Sequence, residues 1–139
     1  YSIFAQTGAY ADTGMMTIYA GTSSDDIAQL TQITMDEMKR AADDMSEAEV
    51  ARARAQMKAG LLMGLETPSN RAERLVHMLY SKGRIIDLEE TVAMIDNVSV
   101  QDVREFAGKM AGKAEMAMAI YGPGRNAPDL DTLKSRLVA

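Results

Sequence analysis

The chain has 139 residues, 47% of them hydrophobic and 25% charged, a composition ordinary for one globular domain with its own core. A net charge of −5 repels phosphate backbones, and the absence of cysteine removes disulfides, thiolate nucleophiles and sulfur metal sites together. No apolar run approaches the roughly 18 residues of a membrane span, so a soluble chain with no nucleic-acid or membrane partner is expected, in a compartment that cysteine usage leaves open.

Tyr1 to Thr7 and Met15 to Ala20 are rich in aromatic and β-branched residues, and Asp12-Thr13-Gly14 between them has turn chemistry, so the pair predicts a β-hairpin with Tyr1, Ile3 and Ala5 on one face. The chain opens on Tyr1 directly into this pattern, with no charged, apolar and small-residue succession of a signal peptide, which reads as an internal segment of a longer protein. Gly21-Thr22-Ser23-Ser24 ends the second strand and offers hydroxyls to cap a helix with the stripe Ile27, Leu30, Thr34, Met38, Ala41 and Met45, closing near Asp43-Asp44.

Ser46 followed by Glu49 is a capping box and predicts a second helix start. Its inner stripe is Val50, Ala53, Met57, Leu61 and Leu65, with Arg52, Arg54, Gln56 and Lys58 facing elsewhere and the small Ala53, Ala59 and Gly60 permitting close approach. Thr67-Pro68 starts a third helix and Gly83 stops it. Asp87 with Glu90 and Ser99 with Asp102 repeat the cap-plus-acid spacing, predicting two short helices that bury Leu88, Val92 and Ile95 in one and Val103, Phe106 and Met110 in the other.

Met116 to Tyr121 is a continuous apolar run between Gly112-Lys113 and Gly122-Pro123-Gly124, which predicts a strand paired centrally in the sheet. Leu130, Leu133 and Leu137 predict a terminal helix. The class is α+β: a mainly antiparallel sheet, the hairpin plus one late strand, covered by several helices. So little sheet under so many helices implies strands supplied from upstream, or by a second copy pairing across an exposed edge as a homodimer.

Few residues suggest chemistry. A zinc helix of the H-x-x-E-H kind needs two histidines four apart with a Glu between them to activate water, whereas this chain has one histidine, His77, with Glu73 and Tyr80 nearby on the third helix. His77 is therefore read as structural or solvent-facing. The acid pairs Asp25-Asp26, Asp43-Asp44 and Glu89-Glu90 point in different directions along a helix and read as caps and solvated faces. Arg71, Arg74 and Arg84 are placed to meet carboxylates, Arg71 with Glu66 first among them. The twelve methionines fall mostly at core-facing spacing.

The run Ser46 to Leu75, SEAEVARARAQMKAGLLMGLETPSNRAERL, resembles the second half of the non-catalytic domain of the pitrilysin and mitochondrial processing peptidase family, zinc peptidases built from paired domains of one fold. Tyr1-Ser2-Ile3-Phe4, Asp12-Thr13-Gly14 with Ile18 to Thr22, Gly83-Arg84, Val98-Ser99 with Asp102-Val103, and Tyr121-Gly122-Pro123 are similar to further family segments in the same order. The resemblance implies that residues 1–139 are one partial domain, half of a metallopeptidase-type α/β roll without its first strands and helix.

By that resemblance the parent is a zinc endopeptidase, with the bacterial cytoplasm or periplasm as its expected place, that encloses an unfolded peptide. This segment supplies chamber wall and contacts to an N-terminal catalytic domain or a homologous catalytic subunit. It has no catalytic residue and no cofactor of its own, and zinc belongs to the catalytic half. The resemblance also implies a substrate-binding Arg and Tyr pair, in which Tyr1 takes the Tyr position and the Arg falls upstream of this sequence. Two alternatives stand beside it. One is a non-enzymatic relative, a processing-peptidase partner or a structural subunit like the core proteins of the bc1 complex. The other is an unrelated α+β binding module, favoured if the hairpin and Met116 to Tyr121 do not share a sheet.

Overall fold

β1 (Ser2–Ala9) and β2 (Gly14–Gly21) form the hairpin that the first two apolar runs predict, antiparallel in a register that pairs Ser2 with Gly21 and Ala9 with Gly14. The turn is closed by the Tyr10 N–H donating to the Thr13 carbonyl at 2.9 Å. The computed structural model describes residues 2–138, so Tyr1 lies outside the described residues. Met16, Ile18 and Ala20 share a face with Ile3 and Ala5 and are half-buried, but on the β1 side that face is open, with Ile3 exposed. The opposite face carries the cross-strand pair Phe4 and Tyr19, stacked with ring centroids 5.0 Å apart.

Five helices follow: α1 (Ile27–Asp43), α2 (Glu47–Gly64), α3 (Pro68–Lys82), α4 (Leu88–Asp96) and α5 (Val100–Lys113), and α6 (Leu130–Val138) ends the chain. Their starts are written in side chains. Ser46 Oγ accepts the Glu49 N–H at 3.3 Å while Glu49 Oε2 accepts the Ser46 N–H at 2.9 Å, so the capping box is complete. Thr67, Asp87, Ser99 and Asp129 each accept the N–H three residues on, at 3.2, 2.6, 3.1 and 2.7 Å. α1 is the exception to the expected hydroxyl cap, because Ser23 Oγ accepts the Asp26 N–H in the turn before the helix, and Asp26 at its N-cap makes no side-chain cap bond. Gly83 closes α3 at φ 67°, where a side chain would be strained.

The described residues fall into two compact units. The first takes in residues up to Asp44 and from Arg104 onward, and the second is Met45–Val103. The core of the first unit is Met35 of α1 with Leu133 and Leu137 of α6, against which Met38, Ala111, Met116 and Met118 pack. Arg136 on α6 forks onto Asp36 on α1 through Nε and Nη2 at 2.6 and 2.7 Å. In the second unit α2 packs on α4, with Val50 buried on α2 and Met78 on α3.

Several expectations are corrected. Met116 to Tyr121 has no hydrogen-bonded strand partner among the described residues, where the sheet is the hairpin alone. The segment keeps the period of a strand, with Met116 and Met118 turned onto the α1–α6 core and Ala117 and Ala119 outward, but a central strand needs a neighbour on each side. Met57 and Phe106, expected inside, are exposed, because apolar spacing along a helix is buried only where another element packs on it. Gly60 has no neighbour within 4 Å of where a Cβ would stand, so it marks no close approach.

Leu133 is 2% exposed at the centre of its core, so Leu133→Ala should destabilise the chain by about 2–5 kcal/mol in a urea titration. A value under about 1 kcal/mol would mean that α6 is not held by this packing. The Arg136 guanidinium holds the Asp36 carboxyl below its ordinary value of 3.8. A carboxylate with a depressed folded value contributes stability that is present above the unfolded value and lost as pH falls through the folded one. The thermal midpoint should therefore fall below about pH 4, and fall less steeply in Asp36→Asn; equal acid slopes for the two proteins would contradict this.

Candidate functional site

α3 carries His77, with Glu73 and Tyr80 on the same helix. The Thr67 cap and Pro68 at its first position fix where it starts, and this phase turns Ala72, Glu73, Val76, His77 and Tyr80 to one side, where they line a surface concavity of about 410 Å³. His77, Glu73 and Tyr80 are all exposed, and every wall belongs to the one helix. One imidazole and one carboxylate fall short of the three protein ligands of a catalytic zinc. Among the described residues no three His, Cys, Asp or Glu side chains gather to hold a metal ion.

A second concavity, about 320 Å³, lies between α2 and α4 and the start of α5. Met45, Val50, Met57, Met94, Ile95 and Val103 make most of its wall. Two cations expected to face away, Arg54 in its wall and Lys58 one turn on, tie α2 to the end of α4. Arg54 Nη1 donates to the carbonyls of Asp96 and Val98, both at 3.1 Å, and its Nη2 pairs with Glu47. Lys58 Nζ lies 2.5 Å from Asp96 Oδ1. These bonds satisfy carbonyls left over where α4 ends, and they set positive charge at the negative end of its dipole. The signal for them was available in sequence: Arg54 and Lys58 are four apart on one face of α2, and Asp96 ends the next amphipathic helix but one.

The three arginines behave differently from one another. Arg71 donates from Nε to the Leu65 carbonyl at 2.5 Å, closing the end of α2, and does not pair with Glu66. Arg74 reaches Thr91 Oγ1 at 2.8 Å and the Ile86 carbonyl at 3.4 Å. Arg84 meets a carboxylate, forking onto Glu90 at 2.8 and 2.5 Å, and its guanidinium holds the Glu90 carboxyl below the usual range. Arg71 and Arg74 tie α3 to the end of α2 and to α4, Arg84 ties the segment after α3 to α4, and none of the three guanidinium groups is left free. Tyr1, the expected substrate-binding residue, lies outside the described residues. No helix among the described residues is long and apolar enough to cross a membrane.

Residues 1–57 match the family model of the peptidase M16 inactive domain. The probable β subunit of the mitochondrial processing peptidase of Arabidopsis thaliana is 33% identical over 97% of this chain, which covers 25% of that protein. The Neurospora crassa β subunit is 34% identical over 87% of the chain, and 26% of it is covered. An uncharacterised zinc protease of Mycobacterium bovis is 30% identical over 88% of the chain, and 28% of it is covered. Among solved structures, a chain of complex III2 from Candida albicans, with Inz-5 bound, superposes with a TM-score of 0.70 at 28% identity, over 76% of this chain and 25% of that one. The chain spans about a quarter of the length of the relatives it matches.

An exposed imidazole without metal partners contributes little to folding. His77→Gln should leave the unfolding free energy within about 0.5 kcal/mol of wild type. A loss above about 1.5 kcal/mol in urea denaturation would give His77 a structural partner that this geometry lacks.

Proposed function

We propose, for a chain that belongs to the pitrilysin and mitochondrial processing peptidase family and matches its inactive domain, that it forms the later part of the non-catalytic domain of a zinc endopeptidase acting on unfolded peptides. The observation that carries this reading is likeness of two kinds at once: 33% identity along 97% of the chain to a processing peptidase subunit, and the inactive-domain match at residues 1–57. The chemistry of the chain agrees, since one exposed histidine and no cysteine do not fit a zinc site. Zinc held by a catalytic half outside this chain would supply Lewis-acid chemistry at the scissile carbonyl. This chain's own part is to wall the chamber and to hold the substrate.

Residues 1–139 are then a partial domain. The unpaired edges of β1 and β2, and the extended Met116 to Tyr121 with its inward Met116 and Met118, are where strands from the rest of the domain would pair. A separate copy pairing on the same edges would give a homodimer without biological meaning. Tyr1, the residue before Ser2 in the sequence, would donate its phenol O–H to the scissile carbonyl and to the negative charge that develops there, beside an Arg contributed from upstream.

A second reading has its own support. The relatives include β subunits of mitochondrial processing peptidases, and the superposed structure is a chain of complex III2. A partner or structural subunit with no chemistry of its own would share this scaffold. The unrelated binding module has the geometric feature named for it, since the hairpin and Met116 to Tyr121 do not share a sheet among the described residues. Identity running nearly the whole length of the chain outweighs that feature, because an unpaired strand is also what a partial domain leaves behind.

The test is Tyr1→Phe in the full-length protein. Turnover of an unstructured peptide should fall by about a hundredfold with little change in KM, as when one oxyanion donor is removed. Wild-type turnover would remove the role of Tyr1. A full-length protein that binds such peptides but shows no zinc-dependent cleavage even with Tyr1 intact would favour the subunit reading.

A further inference from the structure

We propose that the groove between α2 and α4 is a methionine-oxidation site, at which a peroxide converts Met57 and Met94 to sulfoxides and loosens the pairing of the two helices. With twelve methionines and no cysteine, every sulfur in the chain is a thioether. Their accessibility runs from exposed to buried, and Met57 and Met94 stand at the exposed end. Met57 on α2 is 61% exposed and Met94 on α4 is 48% exposed, whereas Met35 and Met78 are 5% and 6% exposed. Susceptibility to peroxide follows that exposure.

Met57 and Met94 differ from the other exposed methionines in where they stand. Both line one apolar groove, from opposite helices, with Met45, Val50 and Ile95 in the same wall. Met15 on β2 and Met63 near the end of α2 are equally open and do not line the groove, so their oxidation alters no helix pairing there. In the step itself a thioether lone pair attacks one peroxide oxygen and the O–O bond breaks. An S=O bond forms, water leaves, the sulfur is oxidised by two electrons and the peroxide is reduced. The product is a polar, chiral side chain in place of a flexible apolar one, and methionine sulfoxide reductases reverse it with a thiol donor. Set among Val50, Ala53 and Ile95, the sulfoxide dipoles meet apolar wall, leaving Arg54 and Lys58 as the remaining ties from α2 to the end of α4.

The inference is independent of the peptidase reading, and its test uses the full-length protein under limiting hydrogen peroxide, with peptide mapping by mass spectrometry and thermal unfolding. Met57 and Met94 should oxidise at least about tenfold faster than Met35 and Met78. The oxidised protein should unfold a few degrees lower, and reductase treatment should restore it. Met57→Leu/Met94→Leu, which keeps Met15 and Met63 open to oxidation, should not show the drop. Oxidation of Met57 and Met94 as slow as that of Met35 and Met78 would overturn the proposal, as would an equal drop in the double variant.

Discussion

The packing of α6 on α1 is the interaction on which the first unit depends. Leu133 and Leu137 meet Met35, and Arg136 forks onto Asp36, so a helix at the end of the chain is tied to one a hundred residues earlier. Closing so long a loop carries a large ordering entropy, offset mainly by apolar burial and only slightly by the exposed ion pair. Met38, Ala111, Met116 and Met118 complete the contact. Methionine suits that position because its unbranched thioether fills irregular space between a helix pair and an extended segment.

The second unit is held in another manner. Val50 and Met78 are its buried residues, and its helices are tied largely through polar contacts: Arg54 and Lys58 to the end of α4, Arg74 to Thr91 and the Ile86 carbonyl, Arg84 to Glu90. Caps at Ser46, Thr67 and Asp87 fix where each helix starts, which fixes which side chains face which neighbour. Such ties specify orientation more than they stabilise, since half-exposed ion pairs contribute little each. Meanwhile Val76, Leu79 and Tyr80 on α3, and Leu62 on α2, stay exposed. On the proposed partial-domain reading such faces are expected, because their surroundings would belong to the rest of the domain.

What could be read from the amino acids follows from the range of each signal. The Ser46-Glu49 box, Thr67-Pro68, Asp87 with Glu90, and Gly83 all act within three or four residues, and each sits where the pattern predicts. The hairpin is equally local. Apolar stripes carry less, since the stripe through Met57 and the run at Met116 to Tyr121 mark surfaces suited to burial without naming what buries them. Partners of long polar side chains were the least legible. Arg71 takes a backbone carbonyl in place of Glu66, and Arg54 crosses to Asp96 and Val98, because a guanidinium finds whichever acceptor the tertiary fold leaves open. The family resemblance reached further than any of these signals, since it draws on many weak matches spread along the chain.

The proposal that further strands complete this domain is tested most directly by amide hydrogen exchange at Met116 to Tyr121 in the full-length protein. Strand pairing on both sides predicts protection of these amides close to that of the α2 and α5 interiors. Exchange as fast as in an exposed, unpaired segment would contradict it, and would leave the chain as a self-contained α+β module despite its relatives.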